Sequence, residues 1–423
     1  MADPRAPLRL TYGEGDGGFQ IISQPPPDGA ASASITYVGP AGWGFDPPGR
    51  EGTARLANQL MTSAAGRWGR VELARLLDRM GANLSHQCAP ESGELTLWGP
   101  GRDWARLVAL LAEVVQHPRF DPPDLGRARR QIRERQLRET SQPAPRVERE
   151  FLRSVFPARH PYAQTGFGSS ASTEKISRSD LLRFHREHYA GGDAAIVVTA
   201  PARASVIESV VRRSFREIAD SRAPTLLFPP MDRTKPIERE IALPGHSQVE
   251  IRLGGRSIAR GAAEYPAAFL ANEILGGRPL LGRLFQRIRE HRGLAYYASS
   301  ELEAMRFGGY WFAQAGSGAD RWRKVVPLLR REARRLEREA VSTVELDTIR
   351  ESAIGEIPLA LESTAEAHEL AVDVAYHRLP ADFWARWPET LRSVTPSRVR
   401  DAAAVALDAR TAVTIIAGPI GRS

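Results

Sequence analysis

Ala54-Arg-Leu-Ala-Asn-Gln-Leu-Met61 has a counterpart late in the chain, Ala268-Phe-Leu-Ala-Asn-Glu-Ile-Leu275. Both read as apolar helices in equal register. After each comes a second helical pattern closed by glycine: Val71 to Met80 before Gly81, and Leu281 to Arg292 before Gly293. Glycine just past a helix supplies the left-handed cap that residues with a Cβ resist. Each copy continues as a pair of runs that alternate or carry β-branched and aromatic residues. These are Ala82 to Ser92 with Glu94 to Gly99, and Leu294 to Ala304 with Gly309 to Ala315, the pattern of strands. A third helix follows in both, from Trp104 to Gln116 and from Arg321 to Leu336. The copies also end alike, Ser179 to His188 leading into Ala194–Ala200 and Pro396 to Leu407 leading into Thr411–Ala417.

The chain therefore repeats one plan twice. Mixed strands and helices in each copy imply an α+β fold of two duplicated domains, each with a mainly antiparallel sheet and helices packed on one face. Between the copies, Ala223-Pro, Phe228-Pro-Pro-Met and Lys235-Pro suit an extended linker. The expected division is 1–218, a linker at 219–239, and 240–423.

Composition narrows the function. A chain of 423 residues with 42% hydrophobic and 26% charged residues has the make-up of a globular protein with more than one domain. No apolar run reaches the length of a membrane span, and the stretch from Met1 to Leu10 lacks the apolar core of a secretory signal. A cytoplasmic protein is expected, with no membrane role. The net charge of +8 invites a nucleic-acid reading. Its distribution argues against one, because Lys175, Lys235 and Lys324 are the only lysines and the arginines alternate with acids. The single cysteine, Cys88, forms no internal disulfide and excludes a Cys-rich metal site. It has no context for an activated thiol.

Gly276-Gly277, Gly282-Arg-Leu-Phe285 and Arg289-Glu-His-Arg-Gly-Leu-Ala-Tyr296 together resemble the second-domain signature of the pitrilysin, or insulinase, family. Mitochondrial processing peptidase and its bacterial relatives belong to that family. His160-Pro-Tyr162, Gly168, Ile176 to Leu181, His188-Tyr189 and Ala195 to Val198 resemble the end of its first domain. The resemblance spans nearly the whole chain and implies two LuxS/processing-peptidase-like domains. Active members, it further implies, carry His-x-x-Glu-His on a first-domain helix. Two imidazoles there hold zinc, the glutamate polarises its water, and a distant glutamate completes the coordination.

On that alignment Arg55, Asn58 and Gln59 stand where His, Glu and His would stand. A guanidinium is permanently cationic and ligates no zinc, and amides are poor ligands that cannot act as a general base. A distant glutamate would fall within 130–140, where Glu134 and Glu139 occur, but without the histidines neither serves zinc. This chain is thus expected to hold no metal and no cofactor, and to have no catalytic residues of its own. His185-Arg-Glu187-His188 superficially imitates a metal motif but reads as the ordinary helix before a strand.

The repeat supplies an internal comparison for the second half. Counting from the capping glycines, Arg289 matches Leu77, Arg292 matches Met80 and Tyr296 matches Leu84. A guanidinium in place of a core leucine must meet water, an acid or a ligand. The resemblance implies that an Arg and a Tyr at this spacing bind the substrate backbone opposite the zinc, a role that falls on Arg289 and Tyr296. Pairing of Arg289 with Glu290 or Glu301 is the plainer alternative. Gly276 to Gly282 lies where the family has a glycine-rich loop that touches substrate, but it is short and carries a proline.

The expectation is a non-catalytic subunit that binds peptide for a zinc-bearing homologous partner in a heterodimeric endopeptidase. A structural scaffold or a metal-free peptide-binding protein is the alternative.

Overall fold

Gly81 and Gly293 both adopt left-handed backbone, at φ 60° and 58°, and so close the two helices they follow. The computed structural model in which this is seen describes residues 8, 10–218, 225–231 and 235–421. The chain forms two compact units. One comprises 1–136, 165–228 and 357–385, and the other 137–164, 229–356 and 386–423. Of the 219–239 segment, residues 219–224 and 232–234 lie outside the described residues, and a strand already opens at Ile237.

The first unit is built on a six-stranded sheet. Its strands are β1 (Thr11–Glu14), β2 (Gln20–Gln24), β3 (Ser32–Gly39), β4 (Asn83–Cys88), β5 (Gly93–Pro100) and β6 (Ala195–Thr199), in the order β1-β2-β6-β3-β5-β4. Only β2 and β6 run parallel; the other pairs are antiparallel. Alternation in β5 separates its faces: Leu95 and Leu97 are fully buried, while Glu94, Thr96 and Trp98 point the other way. The buried face meets the helices Thr53–Met61 and Trp104–Gln116. Leu56, Ala57 and Leu60 from one, and Leu107, Val108, Leu111 and Val115 from the other, join Ile35, Tyr37, Leu95 and Leu97 in one core. Truncating any of these leucines to alanine costs about 2–5 kcal/mol.

The second unit repeats the plan with five strands: β7 (Ile237–Ala242), β8 (Gln248–Ser257), β9 (Tyr297–Ala304), β10 (Gly309–Gly318) and β11 (Val413–Gly418), ordered β7-β11-β8-β10-β9. Here too a single parallel pair, β7 with β11, stands beside antiparallel neighbours. The helix Trp322–Arg338 buries Val325, Val326, Leu329 and Leu336, the counterpart of Trp104–Gln116.

To this arrangement each unit adds a helix on its other sheet face. In the first it is Thr364–His377, whose Ala371, Val372 and Ala375 pack on Ile22, Val38 and Val197. In the second it is Pro143–Val155, whose Phe151 ring lies edge-on to Tyr310 and Phe312. Sequence order places both helices in the opposite half of the chain.

Candidate functional site

The helix Thr53–Met61 carries the three positions that the sequence aligns with a metal motif, and each side chain is engaged in holding the fold. The Arg55 guanidinium donates to the Thr165 carbonyl at 3.0 Å. It lies over the Phe167 ring at 4.1 Å and the Trp43 ring at 4.9 Å, an attraction between cation and ring quadrupole. Asn58 is fully buried and donates through Nδ2 to the Glu94 carbonyl and to the Tyr189 hydroxyl, both at 3.1 Å. It ties the helix to β5, and its Oδ1 accepts nothing. Gln59 donates to Gln131 Oε1 at 2.6 Å.

That last contact locates a residue the sequence reading missed. Of the glutamates within 130–140, Glu134 is exposed, and Glu139 is buried and belongs with the second unit. The side chain that reaches position 59 is Gln131. No signal in the sequence singled it out, because a half-exposed amide such as Gln59 can be met by water, carbonyl, hydroxyl or amide alike. Positions 59 and 131 thus hold two amides in contact, and position 55 a guanidinium turned onto Thr165 and Phe167. A zinc site wants neutral imidazole or anionic ligands, so these residues do not fit the ion. Among the described residues no group of three or more His, Cys, Asp or Glu could hold a metal.

His185 and His188 are packed, not poised. His185 Nε2 bonds the Val115 carbonyl at 2.7 Å and His188 Nδ1 the Pro40 carbonyl at 3.2 Å. Burial lowers the pKa of both, that of His188 to about 4. Cys88 is also buried, which pushes its thiol up to about 12. It is therefore a neutral filler.

In the second unit the predicted helix at 281–292 is shorter and wider. Phe285–Glu290 is wound as a π-helix, with His291 N–H donating to the Gln286 carbonyl at 2.9 Å. Such turns recur at functional sites because the extra residue redirects side chains. Just before it, Gly282 passes so close to Gly276 that an added Cβ would fall 2.7 Å from the Gly276 Cα. Only glycine permits that approach. The chain leaving the π-turn is well anchored. Leu294 N–H bonds the Ile288 carbonyl at 3.0 Å, Tyr296 N–H bonds Gly316 at 2.8 Å, and Ser317 Oγ bonds the Leu294 carbonyl at 2.6 Å.

The arginines of this segment fall into two kinds. Arg278 is 7% exposed and pairs with Glu273 at 2.9 Å and with Glu356. Arg283 forms a two-pronged pair with Glu345, both contacts 2.7 Å, and Arg287 meets Glu332 at 3.1 Å. Arg289 has no carboxylate. It is exposed, and among the described residues its guanidinium meets only the ring of Phe285, at 5.1 Å. Neither Glu290 nor Glu301 pairs with it; Glu301 accepts instead from Gln314 at 3.0 Å. Tyr296 is 62% exposed, one residue ahead of β9, and its hydroxyl bonds none of the described residues. The matching residues of the first unit, Leu77 and Leu84, pack against its core. A fixed backbone thus presents a guanidinium and a phenol outward, two donors suited to peptide carbonyls.

A duplicated α+β protein whose peptidase-type helix has exchanged its ligands for a guanidinium and amides is a peptidase homologue without the metal centre. Comparison with known proteins agrees. Residues 21–165 match the model of the insulinase family (peptidase family M16), and residues 175–353 match that of the peptidase M16 inactive domain. The chain belongs to the M16, or insulinase, family. An uncharacterized zinc protease of Mycobacterium tuberculosis is 24% identical over 366 residues, covering 86% of this chain and 83% of that protein. Another, YmxG of Bacillus subtilis, is 23% identical over 255 residues, 60% of this chain and 61% of its own. The crystal structure of a peptidase M16 inactive domain from Pseudomonas fluorescens superposes with TM-score 0.91 at 21% identity, covering 98% of this chain and 99% of that one. A Helicobacter pylori protease superposes with TM-score 0.89 at 15% identity, over 98% and 100% of the two chains. No described helix is long and apolar enough to cross a membrane.

Proposed function

We propose that this chain is the non-catalytic subunit of a heterodimeric zinc endopeptidase, binding and positioning peptide for a homologous partner that bears the metal. One contrast carries the reading. The first unit has a guanidinium and amides where zinc ligands would stand, and the second keeps Arg289 and Tyr296 exposed with no protein partner for either polar group. Surplus donors on a fixed backbone are what a peptide main chain would meet. The zinc-protease names of its relatives support a partner of that chemistry. The proposal includes the domain division at 1–218 and 240–423, a peptide in preference to a nucleic acid as ligand, and the cytoplasm as compartment.

The test is to purify this chain and a zinc-bearing homologue from the same genome, and to assay each and their mixture on a peptide library. The expected result is cleavage by the mixture well above that of the zinc subunit, with none from this chain alone. A mixture no more active than the zinc subunit overturns the proposal.

A further inference from the structure

On the first sheet, the face turned away from the Thr53–Met61 helix holds a cavity of about 570 Å³, walled by β3, β4, β5 and the first turns of the helix Thr364–His377. That is the size of a small-molecule site. All of its lining residues belong to the first unit.

The floor is a closed polar network. His368, fully enclosed, bonds Thr36 Oγ1 through Nε2 and Thr199 Oγ1 through Nδ1, each at 2.8 Å, and Thr36 also meets the Thr96 hydroxyl at 2.8 Å. An imidazole with a hydroxyl on each nitrogen, deep in the protein, is neutral; burial lowers its pKa to about 3. The floor therefore offers the cavity no charge.

The walls are different. Glu94 and Glu369 both line the cavity, and no described residue hydrogen-bonds or ion-pairs with either carboxylate. Burial foremost, with the Glu369 charge behind it, raises Glu94 to about 7, and burial raises Glu369 as well. Thr364, 6% exposed, also lines the space, though its Oγ1 is closed off from solvent and bonds no described residue. Trp98, half exposed, stands at the rim. The remaining titratable residue of the lining, His86, alternates toward the opposite face, being paired with Leu95.

The second sheet shows this position with its polar groups satisfied from within the protein. In register Glu94 lies across from Gln87 and Val38, and its counterpart Gln314 across from Ser299 and Arg252. The Gln314 amide is wholly occupied, donating to Ser299 at 3.3 Å and Glu301 at 3.0 Å and accepting from Arg252 at 3.1 Å. The first unit has a carboxylate for that amide and valine for that arginine. At this place it thus has an ionisable acid and no cation beside it, in a chain whose net charge is +8. Glu94 is half-buried and Glu369 exposed; an acid drawn largely out of water with no partner is destabilising, so Glu94 in this cavity points to a positive ligand.

We propose that this cavity binds an organic cation, a primary ammonium or a guanidinium group, held by Glu94 and Glu369 with the Trp98 ring against its hydrocarbon or charged end. The site is separate from the Arg289 and Tyr296 pair and does not depend on its role. The cation is either a free amine or the basic side chain of a polypeptide, and because it draws Glu94 into its ionised form, binding near neutral pH releases a proton.

The experiment is calorimetric titration of the full chain with agmatine, with putrescine, and with blocked Ala-Arg-Ala against its citrulline analogue. Wild type is expected to bind at least one cation and not the citrulline peptide. Glu94→Gln and Glu369→Gln should each weaken binding roughly tenfold to a hundredfold, the worth of a charge-assisted hydrogen bond. Glutamine is tolerated by the fold at the matching position of the second sheet, so Glu94→Gln is a clean variant. Binding of the free amines alone assigns a small-molecule site, and binding of the arginine peptide alone assigns a side-chain pocket. Absence of binding by every cation at millimolar concentration, or equal affinity in wild type and both variants, overturns the proposal.

Discussion

Replacing Glu94 with glutamine should alter how the stability of the first unit depends on pH, and the size of that change follows from the site. The carboxyl is lifted from an ordinary 4.5 to about 7, chiefly by burial. Below pH 4.5 it is protonated in both folded and unfolded chains and contributes no pH dependence. Between 4.5 and 7 the folded state holds the proton more tightly than the unfolded state, so stability falls as pH rises. Above 7 the full penalty is present. At about 1.4 kcal/mol for each tenfold in proton affinity, the upper limit is about 3 kcal/mol. Partial exposure of the residue reduces this to about 2 kcal/mol. Glutamine does not titrate, His86 and His368 titrate in both proteins and cancel, and the loss of the Glu94 charge beside Glu369 acts in the same direction. The assay is urea unfolding at pH 4.5 and pH 8 with linear extrapolation, following the transition of the first unit if the two units melt separately. The difference between variant and wild type should grow by about 2 kcal/mol from the lower to the higher pH in favour of the variant. Curves that stay parallel to within about 0.5 kcal/mol would refute the argument that this carboxyl is buried without a cation.

Arg289→Ala and Tyr296→Phe should leave stability within about 0.5 kcal/mol of wild type, since both side chains are exposed, yet reduce peptide turnover of the mixed subunits at least tenfold; unchanged turnover in a fluorogenic peptide assay would favour a scaffold. His368→Leu removes both bonds of a buried imidazole and should cost about 1–3 kcal/mol in denaturant unfolding, and no loss would show that the network under the cavity contributes nothing. Arg55→His, Gln59→His and Gln131→Glu together rebuild a nitrogen and oxygen ligand set, with positions 59 and 131 already in contact and position 55 one helical turn from 59, and should confer zinc in elemental analysis after desalting. Failure to take up zinc would mean that Gln131 is not at the distant ligand position. Gly282→Ala should destabilise the loop before the π-turn, detected as a lowered melting temperature, because the new methyl would meet Gly276 at 2.7 Å.

The fold and half of the site could be read from residue order. Helices at Trp104–Gln116 and Pro396–Ala406, the glycine caps and the paired strand runs follow from periodicity and backbone preference, which are local. The poor fit of this helix to zinc was legible for the same reason: a guanidinium at 55 ligates no zinc and an amide at 59 is a poor ligand in any fold. Arg289 and Tyr296 stood out because the repeat supplied leucine at both places.

What sequence order could not show is whatever depends on which distant residues meet. Gln131 became the partner of Gln59 only when the helix Pro122–Ser141 came to lie beside Thr53–Met61. The helices Pro143–Val155 and Thr364–His377 each joined the unit remote from them in sequence, because an exposed sheet face is covered by whatever apolar helix the chain can deliver, near or far. The cavity with Glu94 and Glu369 exists only through that second crossing. Its two carboxylates are ordinary surface acids in the sequence, and burial, a tertiary property, gives them their altered proton affinity.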